Sequence, residues 1–252
     1  MTLMSQNSAL NSTTVALPSG KTVIVNIRRS ARSRRVILRI APDTGQAELV
    51  LPGRLSEKKG ITFLNDKVAW LEERLEKYPD PIPFEDGRVV PFLGEPLTIR
   101  HKDAKRADVR RDKDQLIVTA PQARLSKAVR DWYKREAGCE ITILAKQKST
   151  MLDRPYGRLT IRDTRSRWGS CSANGNLNFS WRVVMAPNYV LDYLVAHEVA
   201  HLVEMNHSAS FWNIVEQLSN DFNKGRKWLR LNGHELHRYG LEASARDERE
   251  SE

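Results

Sequence analysis

Cysteine is scarce in this chain: Cys139 and Cys171 are the only two among 252 residues. Two thiols so far apart give no disulfide framework, which favours a reducing cytoplasmic setting over a disulfide-stapled secreted fold. Long apolar runs are missing too, and none approaches the ~20 residues of a membrane span, so no membrane attachment is expected. Residues 1–19 lack a basic segment followed by an apolar core, so no secretory signal is expected either. No glycine-rich phosphate loop of Walker type occurs, and Gly157 and Gly169 stand isolated, which counts against a dedicated nucleotide site. No internal repeat is visible, and nothing specifies an oligomeric state.

Hydrophobic residues make up 40% of the chain and charged residues 29%, an ordinary globular balance long enough for one larger or two small cores. The formal net charge of +10 is attractive to polyanions, which leaves nucleotide or nucleic acid open as a partner. Arg28, Arg29, Arg32, Arg34, Arg35 and Arg39 crowd one segment. Its flanks, residues 22–27 and 36–40, read as strands, so the arginines are expected at a hairpin tip, either touching phosphates or keeping a solvated turn soluble. No aromatic residue is interleaved with them in sequence, so a platform for stacking single-stranded bases is not indicated.

The densest chemistry lies at His197-Glu198-Val199-Ala200-His201, the only HExxH in the chain. On a helix, residues i and i+4 share a face, so both rings can reach one zinc ion at about 2.0 to 2.1 Å. Glu198, at the edge of that face, can deprotonate a metal-bound water without being a ligand. The surrounding residues, from Tyr189 to Val203, are strongly apolar and free of Pro and Gly, which predicts a buried helix with Asn188 near its start. Burying two histidines and a glutamate there is costly unless a metal or backbone carbonyls satisfy them.

A catalytic zinc wants a third protein ligand, and His207, ten residues after His197, is favoured by its short spacing. Glu216 and Glu235 are the alternatives. The same first-to-third spacing occurs in metzincins, but those have Gly where this chain has Glu204, and no Met follows Met205 to form a Met-turn. Asn206 is expected to supply the left-handed backbone that Gly would otherwise give.

The run Arg165-Ser166-Arg167-Trp168-Gly169-Ser170-Cys171, the segment Asn174-Gly175-Asn176-Leu177-Asn178, Ala186-Pro187 before the HExxH, and Asn206-His207-Ser208 through Phe211-Trp212 after it together resemble the YgjP-like metallopeptidases, relatives of the WLM and SprT groups. The resemblance spans roughly residues 20 to 240. It implies a zinc-dependent hydrolase of zincin fold, with His197, His201 and His207 holding Zn²⁺ and Glu198 as catalytic base. It names no substrate.

The expected architecture is therefore α+β: a zincin-like catalytic domain with a mixed sheet and the HExxH helix, preceded by a strand-rich N-terminal module. The expected boundaries are a disordered tail over 1–19, the strand-rich module over 20–120, the metallopeptidase domain over 121–242 and a disordered tail over 243–252. In the module, a helix with Ile61, Leu64, Val68, Leu71 and Leu75 on one stripe is expected from Ser56 to Tyr78, after three strands that include a turn at residues 42–45. In the catalytic domain, a long helix from Ser126 to about Met151 precedes a strand at 158–162 and a hairpin over 167–184 turning at Asn174-Gly175.

An extended peptide or protein substrate can add to the edge of that hairpin. Arg165 and Arg167, two apart on a strand, would present two guanidinium groups to a substrate carboxylate or phosphate, or to structural acids such as Asp163. Trp168 either lines the cleft or packs in the core. The expected reaction is attack of zinc-activated water on a peptide carbonyl, Glu198 taking the proton and passing it to the leaving amine. Arg165, Arg167, His234, His237 and Tyr239 are candidate second donors to the oxyanion. Two other readings stay open: a metal-dependent nucleotide pyrophosphatase, and a nucleic-acid-associated protease. A non-enzymatic zinc scaffold is disfavoured, because Glu198 has no task at a closed site.

Overall fold

A computed structural model describes residues 11–40, 46–76, 81–164 and 167–241. The fold is α+β, with mixed sheets and six α-helices among the described residues. It divides into two compact units, one of Met1–Pro81 together with Leu241–Glu252 and one spanning Ile82–Gly240. The division expected at residue 121 falls inside the second unit.

In the first unit, β1 (Asn11–Ala16), β2 (Thr22–Ser30), β3 (Ile37–Ile40) and β4 (Ala47–Pro52) form one sheet in the order β1-β2-β4-β3. β1 occupies residues expected in the N-terminal tail; it forms because Val15 can join Val23, Val25 and Ile27 on the buried face. The stripe expected between Ser56 and Tyr78 is present, but as two helices, α1 (Glu57–Asn65) and α2 (Val68–Glu76), with Leu64, Leu71 and Leu75 buried. The break comes at Asp66-Lys67, where Asp66 N donates to Thr62 O and closes α1. Tyr78 and the turn at 42–45 lie outside the described residues.

The arginine hairpin is corrected by this sheet. β2 and β3 do not pair with each other; β4 lies between them, parallel to β2 and antiparallel to β3. Arg28 and Arg29 belong to β2 itself. Arg28 Nε and Arg39 Nε donate to opposite oxygens of Glu48 at 2.8 and 2.6 Å, and Arg29 donates to the carbonyls of Gly53 and Leu55. Burial pushes the Glu48 carboxyl up, but these two arginines outweigh it and hold the group below its usual range. Three of the six arginines thus have structural partners.

The second unit opens with β5 (Val89–Phe92), β6 (Glu95–Lys102), β7 (Asp108–Asp112) and β8 (Gln115–Thr119), in the order β5-β6-β8-β7. Its outer pairs are antiparallel and its inner pair, β6/β8, is parallel. This is the topology of the first sheet, a repeat of architecture that the sequence does not announce. Both copies hand over to a helix. In the second unit that helix is α3 (Leu125–Met151), which buries Val129, Trp132, Tyr133, Ala137 and Ile141. These share one core with Val90, Leu97, Ile99, Leu116 and Val118, which is why the sheet belongs with the helices that follow it.

Next come β9 (Leu159–Arg162), β10 (Gly169–Cys171) and β11 (Leu177–Ser180), a mixed sheet in the order β10-β11-β9. The hairpin stops at Ser180, not Val184. Trp181–Met185 are all buried, a pattern that a strand with one solvated face cannot satisfy, and they wind into a 3-10 turn instead. Then follow α4 (Asn188–Ala200), α5 (Ala209–Leu218) and α6 (Phe222–Asn232). A Cβ at Gly225 would lie 2.6 Å from Tyr193 Cβ, so only glycine lets α6 sit this close to α4.

Two buried cations pin these pieces together. Lys148 of α3 pairs with Asp192 of α4 at 2.5 Å and donates to Leu218 O of α5 at 2.6 Å. Arg182, only 2% exposed, pairs with Asp163 at 2.9 Å and donates to Leu236 O and Tyr239 O while lying over the Trp181 ring. Replacing it removes an ion pair and the donor to two carbonyls, one of them in buried Leu236. Arg182→Met is expected to lose about 3 kcal/mol of stability, read as a fall in the urea midpoint; an unchanged midpoint would refute this role for Arg182.

Candidate metal centre

α4 carries His197 and Glu198, and His201 caps its C-terminus. Phe211 Nα–H bonds the Ser208 hydroxyl, so Ser208 caps α5 and holds the preceding segment, with His207, against α4. The rings of His197, His201 and His207 form a nearly equilateral triangle, with centroids 4.9 to 5.0 Å apart. Phe211, fully buried, packs against all three at 4.5 to 4.9 Å. The three imidazoles bring donor atoms within 4.8 Å of one another, the one such group among the described residues.

The donor set fits a divalent metal. His197 Nε2 and His207 Nε2 are 3.1 Å apart. Ligands about 2.05 Å from a tetrahedral zinc stand roughly 3.3 Å from each other, so the pair is close to that spacing already. Burial, followed by the charges of His201, His207 and Arg226, pushes His197 down to about 3, so its ring is neutral and offers a lone pair. Burial likewise lowers His201, opposed by its bond to Glu204 O. That bond, Nδ1 to the carbonyl at 2.9 Å, turns Nε2 toward the triangle, the outer-shell arrangement usual for ligating histidines.

Asn206 does not take the left-handed backbone expected of it; Leu93, Lys113 and Asp153 are the non-glycine residues with positive φ among those described. Its side chain makes the turn instead, Oδ1 accepting from Ser208 N at 3.0 Å. The alternative third ligands stand elsewhere. Glu216 is exposed on α5, and Glu235 is paired with His234 and Arg238.

A cleft of about 500 Å³ opens over the triangle, lined by β10 residues Gly169, Ser170 and Cys171 together with Arg167, Glu198, Met205 and the three histidines. Glu198 is 5% exposed. Burial pushes its carboxyl up to about 8, against the opposing pull of the Arg167 charge and of the Cys171 backbone N–H that bonds it. The Cys171 thiol, pushed up to about 11 by burial and by Glu198, stays protonated. Gly169 is equally close: a Cβ there would lie 2.5 Å from Glu198 Oε1 and 2.6 Å from Cγ.

Of the sequence-derived substrate residues, Arg167 lines the cleft. Arg165 lies outside the described residues. Trp168 stacks on His237 at 4.8 Å and packs against Gly233, and it is not part of the cleft wall. His234, His237 and Tyr239 do not line the cleft either. Residues that sequence reasoning missed are Gly169 and the Cys171 N–H beside Glu198, Phe211 beneath the rings, Tyr193 edge-on to His197, and Arg226, which lies 4.2 Å over the Trp212 ring. The spacing of Ser208 before Phe211 carried a capping signal; the contacts of Gly169 carried none.

A family model described as YgjP-like, metallopeptidase domain, matches residues 34–232. The chain belongs to this family. No curated protein matches. Among solved structures, the YgjP-like chain is similar to a crystal structure of the metallopeptidase zymogen of Pyrococcus abyssi abylysin, with 24% identity over 36% of this chain and 95% of that one and a TM-score of 0.32. The family is one of metal-dependent peptidases, so the triangle of histidines and its carboxylate stand in a protein whose class requires a metal ion.

The buried acid has a consequence for stability without metal. Glu198 keeps its proton in the native state to about pH 8 and in the unfolded state only to about 4.5, so the unfolded chain loses its proton first and stability falls as pH rises between those values. Glu198→Gln, neutral throughout, lacks this fall. The unfolding free energy of the metal-free variant relative to metal-free wild type is expected to rise from pH 4.5 to pH 8, measured by denaturant titration at each pH; a flat difference contradicts the burial effect.

Proposed function

We propose that this chain is a zinc-dependent peptidase in which His197, His201 and His207 hold the metal and Glu198 is the general base and acid. The observation that carries the reading is the convergence of three imidazoles and one buried, protonatable carboxylate on a single open cleft. Bound zinc would supply Lewis-acid polarisation of the scissile carbonyl and acidify a water that it holds.

The chain's own residues supply the rest. A carboxyl titrating near neutrality can take a proton from the attacking water and return it to the leaving amine. Gly169 and the Cys171 N–H position that carboxyl from the side. Ser172 N bonds Asn176 O and Ser180 N bonds Trp168 O, so the even-numbered residues of this strand face β11 and the odd ones, Gly169 and Cys171, face the open edge. An extended substrate adding there would meet the free groups of Gly169 and the Cys171 carbonyl. Arg167, at the cleft wall, is the cation available to a substrate carboxylate or the developing oxyanion. The unpaired thiols of Cys139 and Cys171 support a reducing, cytoplasmic setting.

Metal analysis beside hydrolysis of a denatured protein and of a nucleoside triphosphate tests this reading. Glu198→Gln should keep its zinc and lose peptide hydrolysis by about a hundredfold or more, and His207→Ala should lose zinc. Full activity in the first, full occupancy in the second, or preference for the triphosphate overturns the assignment. Gly169→Ala, which forces the Glu198 carboxyl aside, should lower kcat by about tenfold to a hundredfold at unchanged zinc content; wild-type kcat would show that the carboxyl does not depend on that clearance.

A further inference from the structure

β3 is the outer strand of the first sheet, laddered to β4 alone. Among the described residues, nothing else hydrogen-bonds its backbone. Beside this edge, α1 and α2 border a groove of about 460 Å³ lined by Arg35, Ile37, Leu38, Phe63, Lys67 and Trp70. On the helix-facing side of β3, Leu38 lies with Phe63 and with Trp70, which is 40% exposed, so the apolar surface there is contiguous. The second unit repeats the topology and treats the matching edge differently. There α3 packs on β7, and Arg135 Nη2 donates to Val109 O at 3.2 Å. A helix packs beside each of these edges, but the β7 edge has this bond to its backbone and, among the described residues, the β3 edge has none.

The geometry points to a peptide-docking function for the N-terminal unit: the β3 groove takes an extended protein segment in which apolar residues alternate with acidic ones. Every second backbone group of the open strand faces outward and can pair with another main chain. A nucleic acid lacks main-chain donors and acceptors alternating at the spacing of a strand, which an extended peptide supplies. Alternate side chains of the added strand would lie against Leu38, Phe63 and Trp70. The groove wall carries two cations, Arg35 and Lys67, and no acid, and Arg74 stands over the Trp70 ring. Glu48, an acid of the same sheet, is already neutralised by Arg28 and Arg39. The occupant is therefore acidic as well as apolar. The inference does not rest on the chemistry at the histidine triangle; on the peptidase reading, the docked segment belongs to the substrate.

Fluorescence anisotropy tests it on the full chain carrying Glu198→Gln, so that binding is read without cleavage. The probes are a labelled peptide alternating Glu with Ile and Phe, the same peptide with Lys for Glu, and a labelled oligothymidylate. Saturable binding of the acidic peptide is expected, with the lysine peptide unbound. Trp70→Ala, and the pair Arg35→Glu with Lys67→Glu, should each weaken binding by about tenfold or more, with circular dichroism unchanged. In the otherwise wild-type chain, Trp70→Ala should leave hydrolysis of a short peptide unaltered, which separates loss of docking from failure of the active-site reading. No saturable binding of the acidic peptide, equal binding by the variants, or tighter binding of the oligothymidylate at the same residues overturns the proposal.

Discussion

Glu198 is buried and His197 half-buried in α4, a helix whose other faces are packed by apolar side chains, and the surrounding structure follows from that burial. In a low-dielectric setting neither group keeps its charge at ordinary pH: the imidazole is held neutral and the carboxyl protonated toward neutrality. A neutral ring is a metal ligand, and an acid titrating near neutrality exchanges protons in both directions. The same burial that would penalise a charged pair thus gives the two groups the protonation behaviour on which the proposed peptidase chemistry draws.

Holding those groups in place falls to contacts far apart along the chain. Phe211 underlies all three rings, Glu204 O orients His201, and β10 brings Gly169 and the Cys171 N–H against the Glu198 carboxyl. Behind them, Lys148 joins α3, α4 and α5, and Arg182 joins the 3-10 turn before α4 to the segment after α6. Each of these cations is buried and paired, so α4 is fixed in position by polar groups as well as by packing.

Much of this was legible in the chain. The i, i+4 pair of histidines, the apolar run around it, the stripe of α3 and the Asn174-Gly175 turn are local signals, and each lies where the pattern puts it. Other features were misread because the deciding contact is not local. Trp168 looked equally suited to the cleft and to the core, and stacking on His237, far along the chain, settles it. The arginines around residue 30 looked like a hairpin tip, since strands adjacent in sequence usually pair; β4 intervenes between β2 and β3 instead. Asn206 was expected to bend its backbone and uses its side chain.

The sequence by itself determined the helix with its two histidines and neighbouring carboxylate, because helical periodicity makes residues four apart neighbours whatever the rest of the chain does. It also made His207 the favoured third ligand through short spacing. Tertiary structure alone decided what surrounds them. Gly169 stands 29 residues before Glu198, and Arg35 lies 35 residues before Trp70, separations at which no periodicity constrains distance. Only the packing of sheets against helices brings such residues together, giving a carboxyl its clearance in one unit and an open strand its apolar groove in the other.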